Sequence, residues 1–260
     1  MTPGFRSRLG RLAYRARDWY TVRTLMVRPP VPLVSFTFDD FPESAYRIGG
    51  TILERYHARA TYYAALGLMG STTECGRQFA IHDLHSLVEH GHELACHSFT
   101  HLDARTVSSS TYRSDVLRNQ AAVSRLLPGL TLHNFSYPFG RTAPWTGRIL
   151  GRRFRTCRGI AAGINAGQAN LNALRANQIY STNFDRDRLA TLIRANEEVR
   201  GWLVFYTHDI ADVPSRFGCT PEQFETAVRL VMESRSRVIT VDEAVRTIRG
   251  VPAPVPDGAG

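Results

Sequence analysis

Residues 36–44 read FTFDDFPES and end an apolar, β-prone run, Val31–Phe38, that only Pro32 interrupts. Two adjacent carboxylates repel each other, and neither Asp nor Pro favours a strand interior. Asp39 and Asp40 therefore mark a strand end with a task beyond packing. Outward from this point the chain alternates. The pattern predicts helices over Tyr46–His57, Ile81–His90, Ser110–Leu127, Trp145–Gly151, Asp185–Arg200, Pro221–Ser234 and Val241–Ile248. Between them it predicts strands at Ala60–Ala65, His92–Cys96, Asn134–Tyr137, Phe154–Ile160, Trp202–Tyr206 and Val238–Thr240. Strand and helix by turns, with short connections, imply an α/β fold of parallel strands wrapped by helices. Residues 161–183, rich in Gly, Asn and Ala, fit this alternation least well.

Polar clusters follow four of the predicted strands. They are Asp39-Asp40, His97 and His101 in HELACHSFTH, the stretch SYPFG, and His208 in WLVFYTHDI. In α/β barrels the reacting groups collect at the C-terminal ends of several strands. Histidines four apart on one helical turn would present both imidazoles to one ion. With one carboxylate they form a set that leaves coordination positions open for water and substrate, suited to Zn²⁺ and also to Fe²⁺, Co²⁺ or Ni²⁺. Such an ion lowers the pKa of bound water from about 15.7 to about 7, and a second carboxylate beside it can act as a base. Strand alternation alone leaves open which aspartate would hold the metal.

TFDD, HSFTH, FSYPFG and FYTHD, in this order, resemble the motifs of the polysaccharide deacetylases, the NodB-homology family or carbohydrate esterase family 4. The resemblance spans residues 33 to 210. It implies a distorted (β/α) barrel with fewer than eight strands, a divalent metal that is usually zinc, and hydrolysis of N-acetyl groups on N-acetylhexosamine polymers. Carried over residue by residue, it makes Asp39 the general base, Asp40, His97 and His101 the metal ligands, and His208 the general acid. Phe139 would offer its backbone N–H to the oxyanion, with Tyr137 and Tyr206 at the substrate.

The chain departs from the family at several points. The arginine that braces the catalytic aspartate is replaced by Ser136, and Arg158 in TCRGI is the candidate substitute. The usual glycine after the aspartate pair is Phe41, expected to crowd the mouth or form a sugar-stacking wall. The leucine two before the last histidine is Tyr206. The family's fourth motif is not found securely. Asp209 and Asp103 are expected to orient imidazoles from outside the ligand set.

All 32 basic residues are arginine, the net charge is +9, and the arginines are spread along the chain, a pattern of a solvated basic surface rather than a nucleic-acid footprint. Residues 1–30 read as a basic amphipathic arm. Wound as a helix, Phe5, Leu9, Leu12, Ala16, Trp19 and Tyr20 share a face, which can dock on the domain or lie on an anionic leaflet. The catalytic domain is expected over residues 31–249 and a flexible tail over 250–260. Four cysteines without close spacing, no long apolar span and no signal-peptide core point to a cytoplasmic protein, with contact at the inner face of the membrane through the arm. The expected substrate is an N-acetylated glycan or glycan precursor. Alternatives are a non-catalytic carbohydrate-binding member of the same fold, or a hydrolase of another non-peptide C–N bond.

Overall fold

In the computed structural model, which describes residues 22–250, the quoted run forms the middle of a parallel sheet. The strands are β1 (Thr24–Val27), β2 (Leu33–Asp40), β3 (Ala60–Ala64), β4 (Thr72–Thr73), β5 (Gly76–Arg77) and β6 (Glu93–Cys96). They continue with β7 (Asn134–Ser136), β8 (Thr156–Arg158), β9 (Gly167–Asn170), β10 (Asn177–Gln178), β11 (Trp202–Thr207) and β12 (Arg237–Val238). The main sheet has the order β10-β11-β2-β3-β6-β7-β8, with β12 paired beside the start of β2. All of its pairings are parallel, and the sheet curls into a half-barrel.

The period of two in β2 sorts its side chains. Val34, Phe36 and Phe38 belong to the larger apolar cluster, under Phe224, Ala227 and Val228 of the helix Pro221–Met232. Leu33 faces the other way, into a second cluster with Trp202, Val204 and Tyr206. Ser35 and Thr37 share that inner side and are satisfied there. Trp202 Nε1 donates to Ser35 Oγ at 3.0 Å, and Thr37 Oγ1 donates to the Phe205 carbonyl at 2.8 Å. By the same alternation Asp39 points inward. The helix Val241–Arg249 closes the base of the inner cluster with Val241, Ala244 and Val245.

The elements lie within a few residues of their expected bounds. The stretch expected as one helix from Tyr46 is a π-helical turn, Ala45–Gly50, running into the α-helix Thr51–Arg55. The Gly- and Asn-rich stretch after β8 holds β9 and β10 and lines the open side of the sheet. Leu174 exchanges backbone bonds with Cys157 and Gly159, and Asn165 with Trp202. Residues 24–27, within the stretch read as the arm, are not helical: β1 pairs antiparallel with β9. Pro29, Pro30 and Pro32 thus separate two strands. The helical face Phe5–Tyr20 and the tail from residue 251 lie outside the described residues. Among the described residues, no helix is long and apolar enough to cross a membrane, and all four cysteines are free and buried.

Candidate active site

The C-terminal ends of β2, β6, β7, β8, β10 and β11 surround a cavity of about 470 Å³. Asp39, Asp40, His97, His101, Phe139, Tyr206 and His208 all line it. Alternation would send Asp40 to the outer side, away from Asp39. Asp40 instead has φ 61°, and this left-handed turn at the strand tip brings both carboxylates to one mouth. Of seven non-glycine residues at positive φ among the described residues, five (Asp40, Phe41, Ser98, His101 and Phe139) sit at this site. Left-handed backbone costs such residues about 1–2 kcal/mol each, and such outliers concentrate where function requires a geometry.

Asp40, His97 and His101 form a group whose ligand atoms lie within 4.8 Å of one another. Asp40 Oδ1 is 3.1 Å from His101 Nε2 and 3.5 Å from His97 Nε2, yet it is buried and accepts no hydrogen bond among the described residues. His97 Nδ1 lies 2.8 Å from the Ser136 carbonyl, which can only accept. Nδ1 therefore carries the proton, and the Nε2 lone pair faces Asp40. Burial pushes the imidazole of His97 down to about 3 and that of His101 down to about 4, so both are neutral at neutral pH, as ligands must be. Burial, reinforced by Asp39 and Glu74, raises the Asp40 carboxyl to about 6. A bound cation would reverse that rise. The donor set fits a divalent metal with open positions.

The two histidines do not share a helical turn as their spacing suggested. Residues 97–101 form a loop with Ser98 and His101 at positive φ. Asp115, on the helix Ser109–Leu126, pins it by accepting from the N–H groups of Phe99 and Thr100 and from Thr100 Oγ1.

Asp39 is held differently. Arg158 reaches it from β8, and Nη2 donates to both carboxylate oxygens and, at 2.6 Å, to Ser136 Oγ. Burial alone would raise the Asp39 carboxyl, but the Arg158 guanidinium overrides it and holds Asp39 at about 2. Asp39 is thus ionised throughout the neutral range.

His208 sits across the cavity, facing the rings of Phe217 (centroids 5.3 Å apart) and Tyr180 (6.0 Å). Its Nδ1 is buried with no hydrogen-bond partner among the described residues. Asp209 does not orient it. That carboxylate accepts from the N–H and hydroxyl of Ser215 and so ties down the loop that follows β11. Asp103 likewise pairs with Arg105 and Arg141 instead of an imidazole.

Phe41 and Tyr137 are not at the substrate surface. Tyr137 is buried beside Phe135 and donates to the Asn172 carbonyl at 2.9 Å. Phe41 is fully buried and stacks on Phe79 (4.8 Å) and Tyr62 (5.0 Å), because its own positive φ turns the side chain away from the mouth into the core. Replacing it tests this account. Phe41→Ala loses about 3–5 kcal/mol of stability, whereas Phe41→Gly recovers about 1–2 kcal/mol of left-handed strain and loses less. Urea titration checks the order, and a Phe41→Gly protein as stable as the parent would refute the packing role.

Several lining residues were not foreseen: Tyr180, Gln178, Phe217 and the ion-paired Glu74 and Arg216. Their one sequence signal was position, since Phe217 lies in the loop after His208 and Gln178 ends a strand in the stretch that fitted the alternation least.

Comparison with known proteins agrees with this geometry. Residues 27–151 match the family model described as Polysaccharide deacetylase. A bifunctional xylanase/deacetylase from Pseudobutyrivibrio xylanivorans is 29% identical over 107 residues, which is 41% of this chain and 16% of that protein. The chitin deacetylase of Colletotrichum lindemuthianum superposes with a TM-score of 0.62 at 19% identity, over 86% of this chain and 92% of that one. A family 4 acetyl xylan esterase from Clostridium thermocellum, solved with a cobalt ion, gives a TM-score of 0.59 at 22% identity, over 85% and 93%. At these identities the structural likenesses show the fold, and the matched residues contain the Asp39-Asp40, His97–His101 and SYPFG elements described above. Residues 27–151, just under half of the chain, are thus similar to the polysaccharide deacetylase family, and the fold is that of its solved relatives.

Proposed function

We propose that the protein is a divalent-metal-dependent hydrolase that removes N-acetyl groups from an N-acetylhexosamine-containing glycan or glycan precursor. The observation that carries this reading is the meeting, in one cavity, of a ligand-like group (Asp40, His97, His101) with a separately braced, ionised carboxylate (Asp39) and an imidazole on the far wall (His208). Asp40, His97 and His101 would hold the metal, most simply zinc, with cobalt, nickel or ferrous iron as alternatives. When bound, the metal supplies Lewis-acid polarisation and a water acidic enough to react at neutral pH.

The chain's own residues do the rest. Asp39, kept ionised by Arg158, takes a proton from the attacking water at a carboxylate oxygen. Phe139 offers its backbone N–H to the charge that develops on the acetyl oxygen. His208 gives a proton to the departing amine nitrogen, because an amide nitrogen leaves only as the neutral amine. Tyr180, Tyr206 and Phe217 wall the site beside His208. Acetate and a free amino sugar are the products.

Acetate release across a panel of N-acetylated oligosaccharides, with and without chelator, tests the reading. Release should fall at least about tenfold on chelation and return with added zinc or cobalt. Absence of release from every member of the panel, or indifference to chelator, would refute it.

A further inference from the structure

Arg158 is fully buried, and groups from four other strands touch it. Asp39 comes from β2, Ser136 from β7, Tyr63 from β3 and Tyr206 from β11. The register places Tyr63 directly opposite Asp39, and Ser136 directly opposite Arg158. The guanidinium carbon lies 5.2 Å from the centre of the Tyr63 ring and 4.8 Å from that of Tyr206. One nitrogen, Nη2, carries every contact to Asp39 and Ser136, while Nη1 donates to the Gly159 carbonyl at 2.9 Å and Nε is buried without a partner.

A guanidinium that grips a carboxylate through one nitrogen lacks the two-pronged contact that fixes an arginine's direction. Its orientation must come from its surroundings. The tyrosine rings supply faces for the delocalised cation, and the Ser136 hydroxyl supplies a further fixed acceptor for Nη2. Ser136 has a second attachment: its carbonyl holds His97 Nδ1 and so sets which nitrogen faces Asp40.

We infer that Ser136 is a positioning residue. With Tyr63 and Tyr206 it forms a socket that seats Arg158 against Asp39, and through its carbonyl it ties that socket to His97. This rests on the reading of Asp39 as the base. The serine is thus a working part of a brace delivered from β8, and Ser136 and Arg158 form a linked pair. An arginine at 136 would bring a second cation to a carboxylate already occupied.

Ser136→Ala deletes the hydroxyl and leaves the carbonyl, which separates the two attachments. In the acetate-release assay kcat should fall about tenfold, the size of one lost hydrogen bond to a charged group. KM should stay within about twofold and metal content per chain should not change, since the hydroxyl acts on the base alone. Ser136→Thr should restore most of the loss. Tyr63→Leu should also lower kcat, and Tyr63→Phe should recover most of it, because the Tyr63 hydroxyl has no hydrogen-bond partner among the described residues. An unchanged kcat in Ser136→Ala, or no recovery with Ser136→Thr, overturns the proposal.

A readout independent of activity uses metal-free protein. Urea midpoints of Ser136→Ala, Arg158→Met and the double variant form a cycle, with Arg158→Lys in place of Met should the latter not fold. The socket predicts a double-variant shift smaller than the sum of the single shifts by at least about a third. Additive shifts overturn it, whether or not the parent releases acetate, whereas a parent that releases none refutes the functional reading alone.

Discussion

Asp39→Asn should lower kcat by about 10²–10⁴, the range expected for loss of a positioned general base, and leave the metal content per chain unchanged. The substitution preserves size and shape. The amide oxygen can still accept from Arg158, so the fold around β2 should persist with a modest loss of stability. What disappears is the ionised oxygen that takes the proton. Asp40→Asn should behave oppositely in its primary effect, losing metal first and activity as a consequence, because Asp40 is the carboxylate that faces His97 and His101. Kinetics and metal analysis on the two variants together separate the neighbouring carboxylates. An Asp39→Asn enzyme within about threefold of the parent would remove the base from the mechanism.

Arg158→Met should cost about 3–5 kcal/mol of stability at neutral pH, the usual result of removing one partner from a buried ion pair. The loss has a defined pH dependence. Burial favours the neutral Asp39 carboxyl, and Arg158 outweighs it, holding the folded-state pKa at about 2 against an ordinary value of about 3.9. A depressed carboxyl contributes stability that is present above its unfolded pKa and is lost as pH falls through its folded one. The gap between parent and variant should therefore be widest above about pH 4 and narrow toward about pH 2, where a protonated Asp39 needs no counter-charge. Urea denaturation of metal-free protein across that range measures it. A gap that is flat with pH would show that Arg158 acts by filling space and not by its charge. In the acetate assay the same variant should lose activity, since the unbraced carboxylate is no longer held ionised and aimed.

Much of the fold was legible because β2 shows its environment directly. Leu33 to Phe38 has apolar or small residues on both faces, as a strand covered on both sides must, and each polar cluster falls at a strand exit. The candidate site was legible to the same extent: Asp39, Asp40, His97, His101, Phe139, Tyr206 and His208 all meet at one cavity. Phe41 and Tyr137 were misread as substrate-facing. Side-chain direction at a strand end depends on backbone angles, and the positive φ at Phe41 reverses what alternation would suggest. Asp209 was misread as a partner for the neighbouring imidazole, when its acceptors are used by Ser215, six residues on in sequence.

Sequence by itself determined the alternation of the principal strands and helices, the residue types at each strand tip and the family resemblance, because period, turn residues and motif spacing are local properties of the chain. The resemblance named Asp40 as the partner of the histidines and Arg158 as a candidate brace, and tertiary structure alone supplied the contacts that put them there. A left-handed turn at Asp40 brings it beside two imidazoles from a loop, and the curl of the sheet carries Arg158 from β8 across to β2, 119 residues away in sequence. Contacts of that kind depend on how a sheet closes on itself, and no local pattern encodes them.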